Sequence, residues 1–86
     1  MSGDLRLRVR VLERWEDVLL DLPPVTTINA LKEEALELAK VTEDPAIFLV
    51  KFRGAELRNE SHTLADEQVP TDAALIVMRR RRVPVL

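Results

Sequence analysis

The 86-residue sequence has no cysteine and only one histidine, His62. Without thiols the chain can form neither disulfides nor thiolate metal sites, and a cysteine nucleophile is excluded. A single imidazole cannot build a metal site of the kind that clusters several histidines. The sequence therefore predicts no metal ion, no cofactor and no catalytic cysteine.

Glycine is almost as rare, and long apolar runs are absent. Gly3 and Gly54 are the only glycines, so no Gly-rich loop is available to bind phosphate groups. Ser2 and Ser61 belong to no arrangement of base and orienting group that would activate a hydroxyl nucleophile. No apolar run approaches the roughly 20 residues that span a bilayer. We therefore expect no transmembrane segment and no enzymatic activity, and a cytoplasmic location is the default expectation.

The residues that are present are typical of one small globular domain. Hydrophobic residues make up 47% of the chain and charged residues 33%, a balance found in ordered soluble domains. A chain of this length has room for one core, and folding buries roughly 60–65% of its unfolded surface. The net charge is −2, but the signs are separated, because Arg79–Arg82 form a run while several glutamates lie mid-chain.

Alternation of apolar and polar residues predicts the first two strands. Leucine and valine alternate strictly with arginine over Leu5–Val11, which is the period of a half-buried strand. Asp17–Leu22 repeats the alternation, and Pro23 ends it because proline cannot donate to a strand ladder. The polar stretch Glu13–Asp17 between them, which carries Trp15, predicts a hairpin connection.

A helix is predicted over Thr27–Lys40. Alanine, leucine, glutamate and lysine fill most of this stretch, and all four are strong helix formers. Thr26 or Thr27 can cap the first turn, and Asp44-Pro45 marks a turn beyond the end. Apolar residues that recur at three- and four-residue spacing predict the buried stripe. These residues are Ile28, Leu31, Ala35 and Leu38.

A third strand, a short fourth strand and a polar loop follow the helix. Ala46–Phe52 predicts the third strand, Gly54 the turn after it, and Glu56–Arg58 the short strand. The next stretch is mostly polar, and we expect its two apolar residues, Leu64 and Val69, to anchor it in the core.

The last strand contains ALIVM and alternates, with Leu75 and Val77 inward and Ile76 and Met78 outward. The resulting order of strand, strand, helix, strand, short strand and strand resembles the ubiquitin-like β-grasp family. Three stretches carry the resemblance in register: TINALKEEALELAKV, FLVKFRGAEL and HTLADEQVPTDAALIVMRRRR.

The resemblance implies an α+β fold in which a mixed sheet of four to five strands packs on one main α-helix. It also implies one domain over residues 1–82, followed by a short tail over residues 83–86. The arginine-rich sequence, with only three lysines, is similar to bacterial ubiquitin-like proteins, in particular the small ubiquitin-like component of type VII secretion systems. That similarity implies a non-enzymatic protein-interaction domain with a protein partner.

The sequence departs from ubiquitin-type modifiers after the arginine run. Those modifiers end in Gly-Gly, because the terminal carboxylate passes through narrow enzyme channels that require a backbone without side chains. Here Val83 and Pro84 follow the arginines, and the two glycines lie far upstream. We therefore expect no conjugation by the usual diglycine route. The alternative is a ubiquitin-like protein modifier, or a sulfur-carrier-like protein, that uses an atypical C-terminus.

One candidate binding surface lies on the predicted sheet. Lys51 takes the place of the isoleucine at the centre of ubiquitin's exposed sheet face, and Ile76 and Met78 take the places of a histidine and a valine. Because methionine and isolated aliphatic side chains adapt to varied partners, these three residues predict a protein-binding patch. The alternative is the ordinary mixed surface of a sheet with one open face.

The arginine run is a second candidate. Guanidinium groups suit bidentate contacts with carboxylates, so one interpretation is a docking site for a partner with an acidic surface. The other is a solvated strand end. Alternation predicts that Arg79 and Arg81 point to one side, and Arg80 and Arg82 to the other. Nucleic acid is disfavoured, because the chain is net acidic and has no aromatic residues near the run.

Trp15, in the predicted hairpin loop, has two interpretations. Its ring either covers an edge of the core or stands exposed as an anchor for a partner. His62 is predicted to be a surface loop residue, because nothing near it in sequence indicates a base or a ligand. No catalytic residue is predicted, since the many carboxylates show no pairing that favours acid–base chemistry.

Overall fold

In a computed structural model of the protein, residues 3–80 are described. They form a five-stranded sheet and an α-helix. The strands are β1 (Leu5–Val11), β2 (Glu16–Leu22), β3 (Phe48–Phe52), β4 (Ala55–Glu56) and β5 (Ala73–Arg79), and helix α1 covers Ile28–Leu38. The sheet order is β2-β1-β5-β3-β4, with β1 and β5 parallel at the centre and the other pairs antiparallel. The predicted α+β fold, with a mixed sheet on one main helix, is confirmed.

One face of the sheet packs against α1 and forms the core. Along β1, Leu7, Val9 and Val11 are fully buried, while the arginines between them are exposed. On the neighbouring β5, Leu75 and Val77 are buried in the same way. Since side chains alternate between the two faces of a strand, the aliphatic side of the sheet faces the helix and the charged side is open.

Helix α1 lies close to its predicted bounds but buries a different edge of its stripe. The Thr27 side chain accepts a hydrogen bond from a backbone N–H of the first turn at 3.1 Å, which caps the helix. The prediction that Leu38 lies in the core is wrong, because Leu38 is 49% exposed. Leu36 and Ala39 are buried instead. At 3.6 residues per turn, Leu36 and Leu38 lie on opposite edges of the stripe, and the fold covers the edge with Leu36.

The third and fourth strands differ from their predicted bounds. Residues 45–47 form a 3₁₀ turn before β3, and a backbone N–H of that turn donates to the Asp44 side chain at 2.9 Å. β4 ends at Glu56, two residues earlier than predicted. Arg53 and Gly54 connect β3 to β4 with φ angles of 55° and 80°. Two successive left-handed residues are typical of a type I′ hairpin turn, in which glycine meets little steric strain.

The loop between β4 and β5 closes the N-terminal end of α1. Leu64 and Val69 are buried, as predicted. The backbone N–H groups of Ile28 and Asn29 donate to carbonyls of this loop, each at 2.9 Å. Because the first N–H groups of a helix have no partner within it, these bonds make the loop and the helix one unit.

Arg81, Arg82 and the predicted tail over residues 83–86 lie outside the described residues. Within residues 3–80, no helix is long and apolar enough to cross a membrane. The same residues contain no group of three or more side chains arranged to hold a metal ion.

Candidate protein-interaction surface

The side of the sheet that faces away from α1, which we call the open face, carries the predicted patch. Strand pairing places one residue from each strand in a single row: Asp17, Arg10, Ile76, Lys51 and Glu56. Ile76 is 37% exposed, and its direct cross-strand neighbour Lys51 is half-buried. Met78, the next outward residue of β5, is also half-buried. The structure therefore brings the three predicted residues together.

The open face also carries apolar surface that was not predicted from the sequence. Leu19 on β2 is 66% exposed, and Ala74 on β5 is exposed. Both are cross-strand neighbours of Arg8. Shallow depressions of about 240 and 400 Å³ adjoin Arg8 and Ala74. The signal for Leu19 was present in the sequence, since it is an apolar residue at an outward position of an alternating strand.

Several charges on the open face are paired between β1 and β2. The guanidinium of Arg10 donates to Asp17 at 2.8 Å. This hydrogen bond is the main reason that the pKa of Asp17 lies below its usual value. Arg6 lies 3.6 Å from Asp21 in a more exposed ion pair. These contacts neutralise both acids of β2 that point outward.

Arg8 and Lys51 are the exceptions. Arg8 has apolar neighbours on both adjoining strands, and it only adds to the lowering of the Asp17 pKa from a distance. The acid opposite Lys51 is Glu56, but the guanidinium of Arg80 binds Glu56 at 3.1 Å. Neither Arg8 nor Lys51 forms an ion pair or a side-chain hydrogen bond with another residue in the range 3–80.

Arg79 is bound to two carboxylates of the chain itself. Its guanidinium donates to Glu13 at 2.9 Å and to Glu43 at 2.7 Å, and it lies 5.4 Å from the centre of the Phe48 ring. The hydrogen bond from Arg79 lowers the pKa of Glu13, and the two carboxylates raise the pKa of Arg79. Arg79 therefore ties the end of β5 to the β1–β2 hairpin and to the loop after α1.

Arg80 binds a different pair of acids. It donates to Glu56 at 3.1 Å and to Glu60 at 3.3 Å, and to a backbone carbonyl at 3.1 Å. The two described arginines of the run thus diverge, and both are engaged within the fold. Their predicted contact with an acidic partner stays a prediction.

Lys32 is a buried charge that shares the carboxylate of Glu60 with Arg80. Its side chain is 1% exposed, and its ammonium group donates to Glu60 at 2.7 Å and to the carbonyl of Phe48 at 3.1 Å. The sequence prediction placed only apolar residues in the buried stripe of α1. The missed signal was spacing, since Lys32 lies four residues after Ile28 and four before Leu36.

Trp15 is exposed, so the interpretation that its ring covers an edge of the core is wrong. The side chain is 78% exposed, and its φ angle of 52° lies in the left-handed region. That region costs a residue with a side chain roughly 1–2 kcal/mol, and hairpin turns there usually carry asparagine or glycine. The interpretation of Trp15 as a partner anchor stays a prediction.

His62 lies in the loop before β5 and is exposed, as predicted. Its Nδ1 atom lies 2.7 Å from a carboxylate oxygen of Glu67. His62 and Glu67 thus form a local contact within this loop.

The arrangement of the strands and the helix is similar to that of several solved structures. A designed protein based on ubiquitin is 23% identical, with a TM-score of 0.79 over 100% of both chains. Ubiquitin of Caldiarchaeum subterraneum is 16% identical, with a TM-score of 0.78 over 95% of this chain and 100% of that one. The ubiquitin-like domain of an Arabidopsis thaliana protein is 10% identical, with a TM-score of 0.77 over 99% of this chain and 86% of that one.

No protein-family model matches the chain, and no curated protein matches it. The helix, the β2-β1-β5-β3-β4 sheet and the likeness to these solved structures agree with one another. The chain therefore has the ubiquitin-like β-grasp fold.

Proposed function

We propose that this chain is a non-enzymatic protein-interaction domain whose open face binds a protein partner. The observation that carries the proposal is the line of outward apolar side chains along β5, which consists of Ala74, Ile76 and Met78. Arginines of β1 flank this line on one side and Lys51 of β3 on the other. An apolar centre with a charged rim is typical of protein interfaces. Isolated exposed apolar residues are common on any surface, but here they adjoin on one face.

Each predicted residue has a distinct part in this proposal. Ile76 supplies apolar area at the centre, Met78 supplies an adaptable side chain beside it, and Lys51 supplies a positive charge. Trp15 offers a separate anchor at the tip of the β1–β2 hairpin, because a rigid exposed indole contributes much contact area at low entropic cost.

The arginine run has a structural part and a binding part. Arg79 and Arg80 hold the end of β5, yet each side chain remains 43% exposed. Both can therefore still contact an acidic partner surface, together with Arg81 and Arg82. A cytoplasmic protein of this kind would act as a binding component, in the manner of the ubiquitin-like component of bacterial type VII secretion.

We further propose that the chain is not conjugated by the diglycine route. The supporting observation is that no Gly-Gly pair occurs in the sequence. The test is incubation with a ubiquitin-type activating enzyme, ATP and lysate, followed by intact-mass analysis. An unchanged mass is expected. An isopeptide adduct or a terminal thiocarboxylate would favour the alternative, a modifier or a sulfur carrier with an atypical C-terminus.

The binding proposal is tested by site-specific photo-crosslinking in cells that make the protein. A crosslinking amino acid at position 76 should capture a discrete partner, whereas the same group at position 34, on the outward side of α1, should not. With the crosslinker moved to position 19, the double variant Ile76→Ser/Met78→Ser should lose the adduct. Leu38→Ser, which removes an exposed apolar side chain from α1, is the matched control and should keep it. Equal capture from positions 76 and 34 would contradict the proposal.

A further inference from the structure

We propose that Glu56 is a two-position switch that couples Arg80, at the start of the C-terminal arginine run, to Lys51 on β3. In the structure Glu56 binds Arg80, and Lys51 has no ion pair within residues 3–80. When an acidic partner takes Arg80, Glu56 binds Lys51 instead. The switch needs no partner in order to exist, but its consequence for binding rests on the proposed function, which places Lys51 in the interface.

The strand register brings Lys51 and Glu56 together. The two residues are directly opposite each other in the antiparallel pair of β3 and β4. The Cβ atoms of such a pair lie about 4.5–5.5 Å apart, and opposite charges at these positions stabilise a sheet. An ion pair between Lys51 and Glu56 is therefore the ordinary expectation for this register, and its absence requires a cause.

The cause is Arg80, which is fixed beside Glu56 by several contacts at once. Its backbone N–H donates to the carbonyl of Ile47 at 2.7 Å, which continues the pairing of β5 with β3 by one residue. Its guanidinium donates to Glu56 at 3.1 Å, to Glu60 at 3.3 Å and to the carbonyl of Ala46 at 3.1 Å. Because a guanidinium is a planar group with several fixed donors, it binds all three acceptors together, which the single ammonium group of a lysine does less well.

The second position of the switch differs little in energy from the first. The side chain of Glu56 is 25% exposed and that of Arg80 is 43% exposed, and ion pairs in contact with solvent contribute about 0.2–1 kcal/mol. When Glu56 moves to Lys51, no charge is left isolated in the core, because Arg80 can keep Glu60 or turn to solvent. Carboxylates of a partner that bind Arg80 can therefore reverse the preference of Glu56.

The switch makes the two cationic sites compete. A partner bound at Arg80 releases Glu56, which then neutralises Lys51, so the sheet attracts a second acidic group less strongly. Coupling between two binding sites is reciprocal, so a partner bound at Lys51 strengthens the contact between Arg80 and Glu56 and holds the end of β5 against the fold. The chain thus favours one acidic contact over two.

The test removes the arginine and measures the reactivity of Lys51 in the isolated protein. Acylating reagents attack the uncharged amine, and a carboxylate beside an ammonium group favours its charged form. Arg80→Ala should therefore slow the acylation of Lys51 about twofold to fivefold, as expected for one exposed ion pair, while the exposed Lys40 keeps its rate. Mass spectrometry measures each lysine separately. The buried Lys32 reports whether the variant keeps its fold, because unfolding would accelerate its acylation.

Three matched variants control for other causes. Arg80→Ala/Glu56→Gln should return Lys51 to its wild-type rate, since the amide carries no charge. Glu56→Gln alone should leave that rate unchanged, because Arg80 already holds Glu56 in the wild type. Arg58→Ala removes the other arginine near Glu56, which lies 3.9 Å away and is 87% exposed, and should also change nothing. An unchanged rate in Arg80→Ala, or slowing that persists in the double variant, would overturn the inference.

A hexaglutamate peptide, as an acidic probe, makes the same test with Arg80 in place. At a concentration that shifts the backbone amide NMR signal of Arg80, it should slow the acylation of Lys51 in the wild type but not in Glu56→Gln. Equal slowing in both proteins would mean that the peptide binds Lys51 directly and would overturn the coupling. No slowing in the wild type, or no shift of the Arg80 signal at any concentration, would overturn it as well.

The outcomes separate this inference from the proposed function. The acylation rates are measured without a partner, so their failure leaves capture from position 76, and with it the proposed function, intact. If position 76 captures nothing from cells, the proposed function fails, and the switch still stands or falls by the rates of Lys51.

Discussion

Two regions of this molecule that are rich in positive charge use that charge differently. At the end of β5, Arg79 and Arg80 are each matched by two carboxylates from distant parts of the chain; we call this region the exit corner. On the open face, Arg8 and Lys51 have no such partner within residues 3–80. The exit corner therefore uses its cations to hold the fold, and the open face presents two of them to solvent.

The difference shows that the number of charged residues in a stretch of sequence does not tell how many of them are free to bind a partner. The arginine run is the most conspicuous cationic feature of the sequence, yet its described members are largely compensated. Arg8 is one of three arginines in an ordinary alternating strand, and nothing local distinguishes it. Partners across the sheet decide which cation is free. A run of like charges is therefore weak evidence for a free docking site.

The largest predicted effect comes from removing the ion pair between Glu60 of the exit corner and the buried Lys32. Glu60→Ala should lower the free energy of unfolding by about 3 kcal/mol, because it leaves the buried ammonium of Lys32 without its carboxylate. Urea denaturation followed by circular dichroism measures the change.

The matched control for that variant is Lys32→Met, which replaces the buried charge with an apolar side chain of similar length. Combined with Glu60→Ala, it should recover much of the lost stability, since no unpaired charge remains in the core. A loss below about 0.5 kcal/mol for Glu60→Ala alone, the usual range of surface substitutions, would show that Lys32 does not depend on this ion pair.

A smaller loss is expected from Arg79→Ala, which removes the contacts with Glu13 and Glu43 but leaves no buried charge. The folded state lowers the pKa of Glu13, so this pair stabilises the protein above the ordinary pKa of the carboxylate. The stabilisation is lost as the pH falls through the lowered value. Thermal denaturation of both proteins between pH 7 and about pH 2 should show the difference in Tm shrinking toward acid. A constant difference would assign the effect to packing on Phe48 instead.

The hairpin that joins the two regions gives the third prediction. Trp15→Gly should leave stability unchanged or raise it by about 0.5 kcal/mol. Relief of left-handed strain, roughly 1–2 kcal/mol, is offset by the flexibility of glycine, 0.5–1 kcal/mol. Trp15→Asn should behave alike, because asparagine also tolerates this conformation. A loss above about 1 kcal/mol in both variants, the typical cost of a damaging substitution, would mean that the exposed indole packs on the fold.

The smallest effect is expected on the open face. Lys51→Ala and Arg8→Ala should each change the free energy of unfolding by less than about 0.5 kcal/mol, because neither side chain has an ion pair to lose within residues 3–80. Denaturation in parallel with Arg79→Ala makes the comparison direct. If Arg8→Ala proved as destabilising as Arg79→Ala, the contrast between the two regions would disappear.

The elements of the fold were predictable because their signals are local. Strict alternation gave β1 and its buried residues, and alanine, leucine and glutamate gave α1. Which edge of the helix the rest of the fold covers could not be predicted from the local sequence. Leu36 and Leu38 are equivalent by composition, and only contact with the rest of the fold distinguishes them.

The surface was predictable only in part for the same reason. Ile76 and Met78 could be placed outward from the alternation of β5, and Lys51 from its register in the resemblance. The partners of Arg79 could not be predicted, because Glu13 lies 66 residues away in the sequence and Glu43 lies 36 residues away. The sequence left two interpretations of Trp15 open, because large aromatic rings are often buried and the exposure of this one depends on the backbone of a single turn.

The burial of Lys32 has a consequence for chemical labelling. Acylating reagents attack uncharged amines that water can reach, so Lys40, which is exposed, and Lys51 should be modified in the native protein while Lys32 is spared. Modification of Lys32 would require local opening of α1 from the loop that holds Glu60. The rate at which Lys32 is acylated, measured by mass spectrometry, would thus report the rate of that local opening.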